Sequence, residues 1–194
     1  MNHPPTRGES MASIEQNLTQ HAAYHRDRRN IATHFVGVPM IVFAIILALA
    51  TVWIPIGTVT TTLAVAFSAA TVVYYLLLDV KLGITMAIVY FLMCALASEM
   101  THRLDVGLSL AWAGGIFLVG WIIQFVGHKF EGMKPAFFDD AKQLLIGPLF
   151  VCAEAYFLLG LRNDLREYIE ARVGPTVARR DGRPIPILDE GRHA

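Results

Sequence analysis

The 194-residue sequence contains little charge, since only 16% of its residues are Asp, Glu, Lys or Arg, against roughly a quarter in soluble proteins. Its 16 basic residues are balanced by 16 acidic ones, which argues against a basic surface and excludes nucleic acid as a partner. One stretch of 44 residues, 35–78, has no Asp, Glu, Lys, Arg or His. Because a membrane-spanning helix needs about 20 apolar residues, this stretch can form two spans. The sequence therefore excludes an ordinary soluble domain and predicts a protein embedded in a lipid bilayer.

Cysteine is equally scarce, and a cleavable leader is not indicated. Cys94 and Cys152 lie in separate apolar stretches without the spacing of a metal or redox pair, so they indicate neither compartment nor chemistry. The first apolar run follows 34 mostly polar residues, which is too late for a secretory signal peptide. We therefore expect the N-terminus to be retained.

The apolar runs predict an all-α fold, a polytopic membrane helix bundle with four transmembrane helices and a re-entrant or interfacial fifth helix. The four spans are 35–53, 58–78, 82–98 and 106–127, and a tight turn at 54–57 joins the first two. The fifth run, 143–161, contains Pro148 and Glu154, which favours a re-entrant or interfacial segment because irregular backbone at membrane depth must be buried in protein.

The flanking segments predict the domain boundaries and the orientation. Residues 1–12 are expected to be a flexible tail, 13–173 a single membrane helical domain, and 174–194 a disordered tail. A first short helix begins at Ser13, where Gln16 completes a capping box. Basic residues lie before the first span, after the fourth and after the fifth run, which places both termini in the cytoplasm. Short polar loops favour a multi-pass protein of a bacterial inner membrane.

Histidines are the best candidates for chemistry, since His25, His34 and His128 all lie at the predicted cytoplasmic membrane edge, and iron, zinc and copper accept imidazole. His25 and His34 are nine residues apart and would lie on opposite faces of a continuous helix. They can converge only if the helix breaks, with Asp27 or Asn30 as the N-cap of a second helix.

Two further histidines are less favoured by their positions. His21 is interpreted as a solvated helix residue. His102 lies in a loop predicted on the opposite side of the membrane, which slightly favours a plain loop histidine.

Polar residues within or beside the spans complete the candidate site. Gln124 and His128 share one helix face, with Glu131 nearly one turn further on. Glu154 would be an intramembrane carboxylate, and such groups are costly and functional by default. The pair Gly114-Gly115 is interpreted as a point of close helix approach.

Two motifs resemble a known family. The first is H-x4-N-x3-H-x4-P, formed by His25, Asn30, His34 and Pro39. The second is W-I-x-Q-F-x-G-H over residues 121–128, followed by Glu131, Pro135-Ala136, Gly147-Pro148 and Glu154. Over residues 20–161 the chain resembles the membrane family of fungal 2-hydroxy-fatty-acid dioxygenases of phytosphingosine breakdown, which has bacterial relatives.

This resemblance implies an enzyme that uses Fe(2+) and O2 for the α-oxidation of a long-chain 2-hydroxy fatty acid to an acid one carbon shorter. It implies His25, His34 and His128 as iron ligands, with His102 as a further candidate. The catalytic candidates are Glu131 and Glu154, as a fourth ligand or as orienting groups, and Asn30 and Gln124, as hydrogen-bonding partners of the rings or the substrate head. The alternative is a non-catalytic small membrane transporter or scaffold, which would place Gln124 and Glu154 along a cavity and need no metal.

Overall fold

A computed structural model describes residues 13–132 and 140–177. Within these ranges the chain forms helices and one short hairpin. The elements are α1 (Ile14–Ala22), α2 (Arg28–Ala50), β1 (Trp53–Ile56), β2 (Val59–Thr62), α3 (Leu63–Leu78), α4 (Val80–Arg103), α5 (Val106–Glu131), α6 (Gln143–Leu158) and α7 (Asn163–Val173). The predicted all-α bundle is confirmed. The predicted tail 1–12 lies outside the described residues.

The apolar runs all become helices, and three of these helices are suited to cross a membrane. α2, α4 and α5 are long and apolar enough, α3 is a shorter apolar helix, and α6 with α7 forms a pair bent by 111°. Residues 13–132 and 140–177 therefore contain three such helices, or four if the bent pair is one span. Large apolar side chains cover its outside, among them Phe91 at 71% exposed and Leu118 at 62%. Such a surface is compatible with a membrane protein.

The segment between α2 and α3 differs from the predicted tight turn at 54–57. It is an antiparallel hairpin in which Trp53 pairs with Thr62, and Gly57 takes a positive φ of 60° at the turn. The threonines at 60–62 favour extended backbone, and glycine tolerates the left-handed conformation of the turn. The second strand, β2, falls within the predicted span 58–78.

The predicted helix break lies between α1 and α2. Ser13 and Gln16 form the expected capping box at the start of α1. Of the two candidate N-caps for the second helix, Asp27 is the one used: its side chain accepts a hydrogen bond from the backbone N–H of Arg29. Asn30 lies inside α2. The five residues between the helices, 23–27, are what allow His25 to turn away from the helical path.

Close packing of α2 against α5 depends on glycines other than the predicted pair. A Cβ atom at Gly120 would lie 2.8 Å from Ile41 Cγ1, and one at Gly127 would collide with the side chain of Thr33. At Gly114 and Gly115 a Cβ atom would meet no atom of the described residues within 4 Å. The interpretation of Gly114-Gly115 as the point of close approach is therefore wrong.

The segment after α7 returns to the helix break. Val177 forms a parallel bridge with Asp27, accepting a hydrogen bond from the N–H of Arg28 at 3.1 Å and donating its own to the carbonyl of Arg26 at 2.9 Å. The first residues of the predicted disordered tail, 174–177, thus have a defined backbone course. The remainder, 178–194, lies outside the described residues.

Candidate metal centre

Three histidines from three parts of the chain meet in the bundle. His25 follows α1, His34 lies in the second turn of α2, and His128 lies in the last turn of α5. Each offers a ring nitrogen, and these atoms all lie within 4.8 Å of one another. The three side chains are buried, at 1%, 4% and 6% exposed. This arrangement can hold a metal ion, because imidazole nitrogens at such spacing can bind a common centre.

Hydrogen bonds orient two of these rings. Nδ1 of His25 donates to the carbonyl of His21, and Nδ1 of His34 donates to the carbonyl of Asn30, each at 2.8 Å. A carbonyl only accepts, so each Nδ1 carries the proton and each Nε2 keeps its lone pair. Nε2 of His25 is buried and has no hydrogen-bond partner among the described residues. A histidine that binds a metal usually has a buried, unprotonated Nε2 and an Nδ1 that is hydrogen-bonded to a carbonyl. The residues of this cluster therefore fit a metal ion.

Burial also keeps the histidines around the helix break neutral. Loss of solvation, reinforced by the neighbouring imidazoles, lowers the pKa of His25 well below its usual value of 6.5. The same cause lowers the pKa of His21 to about 3. Both rings are therefore uncharged at neutral pH, which is the form that binds metals.

Glu131 fixes the backbone on the C-terminal side of His25. Its carboxylate accepts hydrogen bonds from the backbone N–H groups of Arg26 at 3.0 Å and Asp27 at 2.8 Å. It also accepts one from Asn30 Nδ2 at 3.1 Å. The side chain is fully buried. Glu131 and Asn30 thus lie outside the three-histidine cluster and hold the chain that carries two of its members.

Glu154 also lies outside the cluster, where it pairs with a residue that sequence analysis missed. Arg26 is 2% exposed, and its Nη2 lies 3.4 Å from Glu154 Oε1. Its Nε donates to the carbonyls of Ala22 and His25 at 3.0 and 2.9 Å. A buried guanidinium needs such a partner, because an unpaired charge is very costly away from water. Arg26 is one of the basic residues before the first predicted span, and its position next to His25 was the available signal.

His102 is not brought together with the other candidates. It lies in the last turn of α4, in a small pocket beside Ala50 and Thr51 at the far end of α2. His34 lies near the start of α2, and the 16 residues from His34 to Ala50 span about 24 Å of helix. His102 therefore lies at the opposite end of the bundle from His25, His34 and His128.

His21 belongs to the site although the sequence interpretation made it solvated. It is 4% exposed, and its ring stacks on that of His25 with centroids 4.3 Å apart and planes 2° apart. Nδ1 of His21 lies 3.0 Å from Oε1 of Gln143, at the start of α6. The interpretation was wrong, and the signal was present: Ile14, Leu18 and His21 share one helix face, and the first two are core residues.

A cavity of about 430 Å³ opens from the histidines into the bundle. Its polar end is formed by His21, His25, His34, His128, Gln124 and Gln143, and its apolar walls by residues that include Ile41, Val42, Phe67, Phe117 and Trp121. Gln124 is buried at 4% exposed, and its Nε2 has no hydrogen-bond partner among the described residues. A long apolar molecule with a polar head fits this division, with the head against the imidazoles.

The comparison with known proteins identifies the relatives of this chain. Residues 11–159 match the family described as "2-hydroxy-palmitic acid dioxygenase Mpo1-like". The chain belongs to the Mpo1-like family. It is 34% identical over 166 residues to the 2-hydroxy-palmitic acid dioxygenase MPO1 of Saccharomyces cerevisiae, an alignment that covers 84% of this chain and 91% of the yeast protein. No solved structure matches the chain.

Membership of the Mpo1-like family confirms the resemblance stated from the two histidine motifs. It supports by resemblance the prediction that the protein is an enzyme. Both motifs contribute to the centre: the first supplies His25 and His34, and the second supplies Gln124 and His128.

Proposed function

We propose that this protein is an Fe(2+)-dependent dioxygenase that performs the α-oxidation of long-chain 2-hydroxy fatty acids. The substrate R–CH(OH)–COOH and O2 would give R–COOH, CO2 and water, so the product is one carbon shorter. The observation that carries this proposal is the buried three-histidine cluster at the end of an apolar cavity. Its chemical interpretation comes from the similarity to a protein named as a 2-hydroxy-palmitic acid dioxygenase.

The donor set suits iron in this role. Nitrogens from His25, His34 and His128 would hold the ion, and imidazole is a ligand that iron accepts. When bound, Fe(2+) supplies the activation of O2 and a Lewis-acidic contact for the hydroxyl and carboxylate oxygens of the substrate.

The remaining residues would bind and orient the substrate. The apolar walls of the cavity hold the acyl chain and exclude water from the polar end. The amide Nε2 of Gln124, which has no partner among the described residues, can donate a hydrogen bond to the carboxylate. Asn30 and Glu131 hold the backbone around His25 and His34, and Glu154 acts through Arg26.

The proposal also covers the position of the protein in the membrane. We propose a multi-pass protein of a bacterial inner membrane with both termini in the cytoplasm and the histidines at the cytoplasmic edge. The apolar outer faces of α2, α4 and α5 support insertion in a bilayer. A fatty acid dissolved in the bilayer could then enter with its head at the interface and its chain among the helices.

The deciding experiment measures iron and turnover on the same preparation. The full chain is purified anaerobically in detergent, its iron is measured by elemental analysis, and Fe(2+), O2 and 2-hydroxyhexadecanoic acid are then added. We expect bound iron and formation of pentadecanoic acid, detected by mass spectrometry. His25→Ala, His34→Ala and His128→Ala should lose both, while His102→Ala should keep both because it lies at the other end of the bundle.

Three results would count against the proposal. Iron retained in all three histidine variants would contradict the proposed metal site. Bound iron without formation of the shorter acid would support the metal site and contradict the proposed reaction. A chain that holds the fatty acid with neither iron nor turnover would favour the transporter or scaffold alternative.

A further inference from the structure

The side chain of His21 has a fixed proton arrangement that the metal site does not require. Gln143 Nε2 lies 3.4 Å from Asp140 Oδ2, and Gln143 Oε1 lies 3.0 Å from His21 Nδ1. A carboxylate accepts, so the amide nitrogen faces Asp140 and the amide oxygen faces His21. His21 Nδ1 must then donate its hydrogen to Gln143, which leaves the lone pair on Nε2.

This lone pair belongs to the polar end of the cavity. His21 lines the cavity, and its Nε2 is buried with no hydrogen-bond partner among the described residues. The neighbouring position on α6 is Gly147, where a Cβ atom would come within 4.0 Å of Nε2. Because glycine has no side chain, this side of the ring stays open. A buried acceptor in such a place is satisfied when a ligand donates to it.

His21 is not part of the three-histidine cluster. The nitrogens that lie within 4.8 Å of one another come from His25, His34 and His128, whereas the ring of His21 stacks on one side of His25. Its Nε2 is therefore left for a ligand that binds in the cavity beside the three-histidine cluster. The two groups of a bound 2-hydroxy acid head differ here, because an ionised carboxylate only accepts hydrogen bonds and the 2-hydroxyl can donate one.

We infer that Nε2 of His21 accepts the hydrogen bond of the substrate's 2-hydroxyl group and so selects 2-hydroxy fatty acids over unsubstituted ones. The inference rests on the proposed function, since it deepens the recognition of that substrate. An unsubstituted fatty acid offers no donor and leaves the buried acceptor unsatisfied, which is the kind of difference that gives strong discrimination. Gln143 acts as a positioning residue, because it holds His21 in the tautomer that accepts.

The test compares the binding of two acids to the iron-loaded full chain without O2, so that no turnover occurs. Dissociation constants for 2-hydroxyhexadecanoic acid and hexadecanoic acid are measured by equilibrium dialysis with radiolabelled acids in detergent. His21→Phe keeps an aromatic ring against His25 but removes the acceptor. We expect the wild-type preference for the 2-hydroxy acid to fall at least tenfold in this variant, with iron content unchanged.

Two further variants separate the hydrogen bond from packing. Gln143→Leu removes the acceptor that fixes the His21 tautomer and should also reduce the preference, whereas Gln143→Glu keeps an acceptor and should restore part of it. Phe150→Leu is the packing control, because Phe150 contacts the ring of His21 at 4.8 Å between centroids but offers no acceptor. It should leave the preference unchanged.

The outcomes distinguish this inference from the proposed function. An unchanged preference in His21→Phe overturns the inference while wild-type turnover stands. Loss of iron in His21→Phe also overturns it, since His21 would then be a ligand. A wild-type chain with no iron or no shorter product overturns the proposed function first. If His21→Phe does not fold, an unchanged preference in Gln143→Leu is sufficient to overturn the inference.

Discussion

The carboxylate of Glu131 accepts the backbone N–H of Asp27 at 2.8 Å, a contact that joins the last turn of α5 to the first residue before α2. The same carboxylate accepts the N–H of Arg26, the residue after His25. Because a helix N-terminus favours a negative charge, Glu131 stabilises the start of α2 at the point where the chain breaks. Glu131 thus joins the segment that carries His25 to the helix that carries His128, although it is not one of the three clustered histidines.

Removing this carboxylate is expected to lower the stability of the whole centre. Glu131→Ala leaves two buried N–H groups and the Asn30 amide without their acceptor, and each such loss costs about 1–3 kcal/mol. We expect the free energy of unfolding to fall by about 3 kcal/mol or more, with Glu131→Gln in between. Denaturant unfolding in detergent measures this. Glu99→Ala, at an exposed position, should change little, and an equal effect of the two alanine variants would contradict the prediction.

A methyl group at Gly127 should disrupt the contact of α5 with α2. In Gly127→Ala the new Cβ collides with Thr33 and lies 2.6 Å from Asn30 Oδ1, so the helices must separate. Overpacking of this kind costs about 1–3 kcal/mol. Because His128 is the next residue, iron binding should weaken as well. Gly114→Ala is the matched control on the same helix, where a Cβ meets nothing within 4 Å in the described part of the chain. It should be neutral or slightly stabilising.

Metal removal is expected to lower the melting temperature of the wild-type chain. An ion that binds only the folded state contributes about 2.7 kcal/mol at a free concentration one hundred times its dissociation constant. Thermal unfolding with and without a chelator should therefore differ in the wild type and in His102→Ala. In His34→Ala, which lacks one of the three nitrogens, the two curves should coincide. A chelator effect of wild-type size in His34→Ala would exclude this ligand.

Acid should destabilise the metal-free chain through its buried imidazoles. Burial lowers the pKa of His21 from about 6.5 in the unfolded chain to about 3, so between these values the unfolded state binds a proton that the folded state does not. Stability is therefore lost as the pH falls below about 6.5, by about 2 kcal/mol at pH 5 from His21. His25 adds to the loss in the same direction.

Unfolding of the chelator-treated protein at pH 7.5 and pH 5 measures this slope. His21→Phe should reduce the difference between the two pH values, whatever its effect on absolute stability. A wild-type chain whose stability does not change over this range would show that these histidines are solvated.

Local signals predicted much of the fold and of the centre. Apolar run length gave the helices, because a span requires a minimum of uninterrupted apolar residues. The nine-residue interval between His25 and His34 required a helix break, and Asp27 provides it. The convergence of His25 and His34 with His128 was predicted from the family resemblance and from their shared position at the membrane edge.

The contacts that sequence analysis missed are made between distant parts of the chain. His21 is buried by α6, more than 120 residues later, so its own neighbours did not show its environment. Gly127 and Gly114 have the same intrinsic preferences, and only the path of α2 distinguishes them. The burial of the Arg26 guanidinium is possible because Glu154, on α6, pairs with it. Such facts depend on helix pairing, which residue spacing does not specify.

The separation of the histidines along the chain has a consequence for biosynthesis. His21, His25 and His34 are all translated before the first long apolar helix is complete, whereas His128 follows 94 residues after His34. The ribosome therefore delivers an N-terminal segment with two of the three clustered histidines long before α5 is synthesised. Glu131, which closes the turn beside His25, comes later still. The three-histidine cluster is therefore complete only after α5 has been synthesised, so an ion held by all three nitrogens can bind only after that point.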